Sequence, residues 1–348
     1  MQATRNSKDS MTSTWREGDK TEWTIHHWMY EVLGIHPTTI GKPIPVHSKD
    51  DKIPFVPNWT HQRWVLVHAF IPLALQQIYI YYTGHNFSSI AAFFFYTIAL
   101  KAIAIKELQL LRRQGHMYGF LDGDAHPRDQ VPDHSVLKAL RSLSITSAIR
   151  PLFTIILTYH TALGPSSINW LFLPLEIGLY QIVLDFWFYW YHRLMHEVEG
   201  LWKYHRTHHL TKHPNALLTL YADHEQEFFD IAGIPLLAYF SMRVLGMPMG
   251  FYEWWVCQQY VIYTELAGHS GLRLYSTPPS TLHWLLRMWG LDLVIEDHDL
   301  HHRRGWKKSG NYGKQTRVWD KVFGTMGERI ESTKDKIDYG NTVSMPMW

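Results

Sequence analysis

Long apolar runs separated by short polar turns fill much of the chain after residue 63. The first two runs cover residues 64–83 and 89–105, and only the five residues 84–88 separate them. Each run approaches the ~20 apolar residues that a helix needs to cross a bilayer. Two such runs on either side of a short connection predict a membrane helical hairpin.

The same pattern repeats further along the chain. Runs at 149–164 and 170–191 flank the short turn 165–169, and a third apolar region, 228–268, is broken near 246–250. Because helices of this length and apolarity fit a bilayer, the pattern predicts an all-α integral membrane bundle of three helical hairpins, with about four to six spans.

Composition supports a membrane protein. Hydrophobic residues make up 46% of the 348 residues and charged residues only 18%, while a net charge of +2 makes no case for nucleic-acid binding. The mean hydropathy of −0.20 also fits a soluble protein with buried helices. A polar N-terminal stretch explains the low value, so we predict a cytosolic tail at 1–63 and a membrane domain at 64–348.

Basic residues predict the topology. They concentrate between the first two hairpins, whereas the turns 84–88 and 165–169 contain no Lys or Arg. By the positive-inside rule, segment 106–147 is cytosolic, and both termini and the chain after residue 191 lie on the same side. We therefore expect a multi-pass protein of the endoplasmic reticulum with a cytosolic active site. The basic residues are Lys106, Arg112, Arg113, Arg128, Lys138, Arg141 and Arg150.

Histidine is the unusual residue type, with 23 copies against a single cysteine. Eight histidines fall in three short windows with the sequences HRLMH, HRTHH and HDLHH. Side chains three or four positions apart share one face of a helix, so each window offers imidazoles to one metal, and an adjacent histidine can turn to a second. Eight imidazoles exceed a tetrahedral zinc site and predict two metals. These histidines are His192, His196, His205, His208, His209, His298, His301 and His302.

The windows and their surroundings resemble the fatty acid hydroxylase and sterol desaturase superfamily of membrane diiron enzymes, and within it the C4-methylsterol oxidases most. The resemblance rests on DFWFYWYHRLMH, WKYHRTHH, YADHEQE, HSG, EDHDLHH, GNYG and WDKVFGT, in that order. It covers residues 170–325, the predicted catalytic core. It implies two further metal ligands, His224 in ADHEQE and His269 in HSG.

The resemblance also implies the chemistry. We expect two iron ions, O2, and electrons from NAD(P)H delivered through a separate cytochrome b5 and its reductase, since the sequence contains no HPGG haem motif. The expected reaction is oxidation of a C–H or methyl group in a sterol or terpenoid-like lipid that enters from the bilayer. The alternatives are a lipid desaturase, a fatty acyl or sphingoid hydroxylase, and, more distantly, a metal-binding membrane protein that is not an enzyme.

Two carboxylates are placed to orient these ligands. Asp185 precedes His192 by seven residues, or two helical turns, and Glu265 precedes His269 by four. Each is predicted to accept the Nδ1–H hydrogen bond of its histidine, which fixes the ring for metal binding. His213 and His283 lie near the windows but are not predicted to be ligands.

Overall fold

The computed structural model describes residues 9–348, and these fold mainly into helices that the apolar runs anticipate. Two short strands, β1 (Ile53–Phe55) and β2 (Ile337–Thr342), pair in parallel. The α-helices are α1 (Ile25–Leu33), α2 (Asn58–Thr83), α3 (Ser89–Tyr118), α4 (Val136–Thr158), α5 (Leu173–Glu197), α6 (Glu199–His205), α7 (His224–Phe228), α8 (Ile234–Val244), α9 (Phe251–Gly268), α10 (His283–Met288), α11 (Ile295–Arg304) and α12 (Val318–Val322).

The predicted helical membrane bundle is confirmed. Helices α2, α3 and α4 are long and apolar enough to cross a membrane. Gly84 ends α2 in the left-handed conformation at φ 71°, which glycine adopts without a Cβ clash, and its N–H donates to the carbonyl of Ile80. This turn returns the chain into α3 and forms the first hairpin.

Two boundaries differ from the prediction. Helix α3 continues to Tyr118 and α4 begins at Val136, so the predicted connection 106–147 shortens to 119–135. At 1.5 Å per residue, a helix of 30 residues is about 45 Å long, which exceeds the ~30 Å hydrocarbon core. Hydropathy therefore marks where the chain leaves the membrane, whereas the helix itself continues beyond it.

The remaining apolar runs form α5, α8 and α9, which pack on one another. Within residues 9–348, only α2, α3 and α4 qualify as spans by length and apolarity, fewer than the four to six predicted. Helix α8 has 11 residues, too few to cross alone. Helices α5 and α9 carry buried polar side chains that lower their hydropathy, namely Glu176, Gln181, Asp185, Glu253, Gln258 and Gln259.

The N-terminal segment packs against the rest of the chain. Trp15 donates through its indole N–H to the carbonyl of Val131, and the fully buried Tyr30 donates to the carbonyl of Val136. Strand β1 joins this segment to β2 near the C-terminus, a pairing that no local pattern predicts. These contacts gather the segments before α2, between α3 and α4, and after α9 into one layer, which we call the cap.

Candidate metal centre

Five buried histidines meet where the C-terminal end of α5 faces the cap. His192 and His196 lie one turn apart on α5, His205 ends α6, His209 follows it, and His301 comes from α11. One ring nitrogen from each residue lies within 4.8 Å of those of the other four. This is the five-histidine cluster.

A second group of four buried histidines adjoins the first and is the four-histidine cluster. It combines His208, His269 at the end of α9, and His298 and His302 from α11. The rings of His209 and His302 are 4.7 Å apart, so the clusters are neighbours. The adjacent pairs His208–His209 and His301–His302 each contribute one ring to each cluster.

Six of the nine rings have Nδ1 beside an oxygen atom. A carbonyl oxygen only accepts hydrogen bonds, so Nδ1 carries the proton and Nε2 keeps its lone pair. The pairs are His192 with Tyr312 O (2.8 Å), His205 with Gln226 Oε1 (2.9 Å), His208 with Tyr221 O (3.3 Å), His269 with Glu265 O (2.8 Å), His301 with Gly310 O (2.7 Å) and His302 with Thr211 O (2.9 Å).

The Nε2 atoms converge on each other inside the clusters. Nε2 of His209 lies 3.0 Å from that of His196 and 3.1 Å from those of His205 and His301. His209 has one Nε2 proton at most, so lone pairs remain directed at one another without a donor. Such a buried arrangement is unfavourable by itself and fits a cation at its centre, because lone pairs that face a cation are attracted to it.

The protonation state also fits metal binding. Burial lowers the pKa of His205 and His269 to about 3 and that of His301 to about 4. The rings are therefore neutral near pH 7, the form that coordinates metals. Within residues 9–348 no Asp or Glu joins either cluster, so each donor set is made of imidazole alone, which suits iron among other first-row metals.

The structure places His224, implied by the resemblance, outside both clusters. It begins α7 with a side chain that is 66% exposed, and its Nδ1 lies 3.3 Å from Glu227 Oε2. The residue two positions later, Gln226, faces the site instead and accepts the Nδ1–H of His205. Sequence reasoning missed Gln226, since a glutamine without a spacing pattern carries no signal.

Asp185 does not accept the bond predicted for it. The Nδ1–H of His192 donates to the carbonyl of Tyr312 instead. The buried Asp185 carboxylate accepts the backbone N–H groups of Lys314, Gln315 and Thr316 and the Thr316 hydroxyl, at 2.7–3.1 Å. It therefore fixes the turn that follows Tyr312, and it reaches His192 through this turn.

Glu265 also acts differently from the prediction. Its carboxylate pairs with Arg150 at 3.1 Å, and its backbone carbonyl accepts the Nδ1–H of His269 at 2.8 Å. The four-residue spacing was thus informative, because within a helix it places a side chain over the carbonyl of the preceding turn. The contact uses the main chain of Glu265, and any residue type at this position provides that carbonyl.

Three buried acidic residues that sequence reasoning missed anchor α11, the helix with three clustered histidines. Glu296 accepts the backbone N–H groups of residues 330–332, and Asp297 pairs with Arg329 at 2.7 Å. Asp299 pairs with Arg128 and with Arg303. The bonds to residues 330–332, Arg329 and Arg128 fix α11 to two other segments of the chain, whereas the Arg303 pair lies within the helix.

Comparison with known proteins gives a consistent assignment. The family model described as fatty acid hydroxylase matches residues 177–325. "Fatty acid hydroxylase vlmA" from Lecanicillium sp is 41% identical over 316 residues, which is 87% of this chain and 86% of the relative.

More distant relatives match a smaller part of the chain. "Alkylglycerol monooxygenase" from Xenopus tropicalis is 29% identical over 46% of this chain and 31% of its own length. "Methylsterol monooxygenase 2-1" from Arabidopsis thaliana is 30% identical over 45% of this chain and 57% of its own length. No solved structure matches. Because a 41% identical relative is matched over nearly its whole length, the chain belongs to the fatty acid hydroxylase family and is an oxidoreductase.

Proposed function

We propose that the chain is a diiron membrane hydroxylase that uses O2 to oxidise a C–H bond of a fatty acyl or similar long-chain lipid. The observation that carries the proposal is the pair of adjacent, buried, all-histidine clusters at one end of a membrane helix bundle. Iron in both clusters would supply the oxidising power for this reaction, which no side chain provides.

The nine histidines form two groups, each of which offers its ring nitrogens to one iron ion. The five-histidine cluster would hold one ion and the four-histidine cluster would hold the other. The surrounding carbonyls and Gln226 orient the rings through Nδ1, which leaves Nε2 for the metal. Burial of every ring keeps water from the reacting centre.

The comparisons favour the fatty acyl alternative over the sterol or terpenoid substrate expected from sequence. The relative matched over 86% of its length is named a fatty acid hydroxylase, whereas the methylsterol monooxygenase match covers less than half of this chain. Relatives named hydroxylase and monooxygenase also favour hydroxylation over desaturation. An apolar groove of about 340 Å³, lined by α2, α3 and Trp348, has room for part of a lipid tail.

A product assay separates the substrate classes. Membranes that contain the iron-loaded protein receive NADH, cytochrome b5, its reductase and ¹⁸O2, together with fatty acyl lipids and sterols. We expect hydroxylated acyl products that carry one ¹⁸O atom and unchanged sterols. Oxidised sterol with unchanged acyl lipids would favour the sterol candidate. Iron-loaded protein that oxidises neither class would contradict the proposed function.

The proposed location is the endoplasmic reticulum, with the clusters facing the cytosol and electrons arriving from a separate cytochrome b5. Contacts support one common side: Asp9 pairs with Arg206 within the second histidine window, and Arg113 donates to the carbonyl of Trp348. Reporter tags at residue 10, within 115–130 and at the C-terminus should all report cytosol. A tag in turn 84–88 should report the lumen, and a lumenal C-terminal tag would contradict this topology.

A further inference from the structure

A third group of metal-ligand side chains lies outside both histidine clusters, where loop 119–135 of the cap meets the segment that follows the second histidine window. It consists of Asp122, His126 and His213, whose ligand atoms lie within 4.8 Å of one another. His213 Nε2 is 3.0 Å from Asp122 Oδ2, and the rings of His126 and His213 are 4.7 Å apart. Nothing in the proposed hydroxylase chemistry uses these side chains.

The backbone brings the three residues together. Asp122 has φ 59°, and its carbonyl accepts the N–H of His126 at 2.7 Å, which folds the loop back on itself. The N–H of Asp129 donates to the carbonyl of His213, and the Asp129 carboxylate accepts the N–H of His213 at 3.0 Å. The two segments therefore hold the donors in place without help from an ion.

Solvent can reach this group from one side. Asp122 is buried, His213 is half-buried and His126 is exposed, so the donors form the floor and the rim of a shallow site. His126 also lines a cavity of about 560 Å³. An ion could therefore enter and leave without unfolding the cap, unlike an ion in the fully buried clusters.

We propose that Asp122, His126 and His213 form a third cation site that takes a late first-row divalent ion, with zinc as the probe, and water in the remaining positions. Two imidazoles with one carboxylate form a known zinc donor set. The imidazoles disfavour magnesium and calcium, which prefer oxygen ligands alone.

The surrounding charges allow this ion. Lys49 and Arg303 contact Oδ1 of Asp122, whereas Oδ2 faces His213 Nε2, so a metal ion would bind Oδ2 and replace the proton between these two atoms. Positive and negative groups around the site nearly balance, so a divalent ion meets no strong repulsion. The negative groups are Asp122, Asp124, Asp129 and Asp299, and the positive groups are Lys49, Arg128 and Arg303.

The position of the site suggests a structural role. An ion there would join loop 119–135 to the segment that follows the second histidine window. Arg303 belongs to α11 and lies 3.2 Å from Asp122 and 2.8 Å from Asp299 of the same helix, so an ion pair joins the site to α11. The ion would thus reinforce the part of the cap that holds the clusters.

Zinc titration of the full chain tests the proposal. Protein with both clusters loaded with iron is titrated with Zn²⁺ against a chromophoric chelator, and both metals are counted by elemental analysis. We expect one zinc site per chain in addition to the iron. His126→Ala should weaken zinc binding about 10-fold or more, since even losing a partner that only orients a ligand costs about 10–100-fold in metal affinity.

Two variants make the result decisive. His134→Ala removes another exposed imidazole on the same loop and should bind zinc like the wild type. Asp122→Asn should weaken zinc binding while iron content stays unchanged. The proposal is overturned if wild-type protein binds no zinc beyond the clusters, or if His126→Ala binds it normally. If His126→Ala and His134→Ala lost the same zinc affinity, the proposal would also be overturned, because the zinc would then bind surface imidazoles without a specific site.

Discussion

Replacing His301 by alanine should abolish lipid oxidation. His301 is fully buried, its Nδ1–H donates to the carbonyl of Gly310, and its Nε2 lies 3.1 Å from that of His209. Alanine removes one imidazole from the five-histidine cluster and leaves a cavity that water can enter. We expect turnover to fall by about 100-fold or more, beyond the 10–100-fold typical for losing a partner that only orients a ligand.

The measurement is oxidised lipid by mass spectrometry, with iron content determined on the same protein. His283→Ala is the matched control, since His283 also lies on the cap side but outside both clusters, and it should keep near-normal turnover. Normal turnover and iron content in His301→Ala would rule out the five-histidine cluster as an iron site. Equal loss in His283→Ala would show that the third window is assigned wrongly.

His224→Ala tests which of two assignments is right: the one implied by the family resemblance, with His224 as a metal ligand, or the one given by the structure, with His224 outside both clusters. The resemblance implies that His224 binds metal, whereas the structure leaves its side chain exposed at the start of α7. We expect His224→Ala to behave like His283→Ala in the same assay. Loss of iron in this variant would mean that α7 adopts another orientation in the loaded enzyme.

Sequence spacing selected eight histidines that the structure brings together, because helical periodicity is local. Residues three or four apart on α5 or α11 must share a face, wherever the rest of the chain lies. The division between clusters followed from the same rule, since the adjacent residues His301 and His302 point about 100° apart on α11. The ring partners could not be predicted, because the carbonyls of Tyr312 and Gly310 belong to a loop and every residue type has one.

The fold, like the site, could be predicted from the sequence only in part. Apolar runs located the membrane helices, because burial in lipid requires side chains of that type whatever the tertiary structure. They could not locate the end of α3 at Tyr118, since beyond the membrane the helix is amphipathic and packs against the cap. Pairing of β1 with β2 joins residues almost 300 positions apart, and such contacts have no local signature.

Replacing Asp185 by asparagine should lower both iron affinity and stability. Four donors, three backbone N–H groups and the Thr316 hydroxyl, point at the two carboxylate oxygens. Asparagine supplies one oxygen and one NH2 group, so one pair of donors would face another donor. An unsatisfied buried group costs about 1–3 kcal/mol in the free energy of unfolding. The loosened turn adjoins Tyr312, whose carbonyl orients His192, so iron affinity should fall about 10–100-fold.

Two readouts separate positioning of the ring from general packing. Thermal unfolding in detergent reports stability, and competition with an iron chelator reports affinity. Asp50→Asn is the control, since its carboxylate is 90% exposed and pairs only with Lys336 among the described residues, and exposed ion pairs contribute about 0–1 kcal/mol. A loss of stability in Asp185→Asn with wild-type iron affinity would limit Asp185 to packing. In that case the Tyr312 carbonyl would hold the His192 ring without help from Asp185, whose carboxylate contacts residues 314–316 and not the ring.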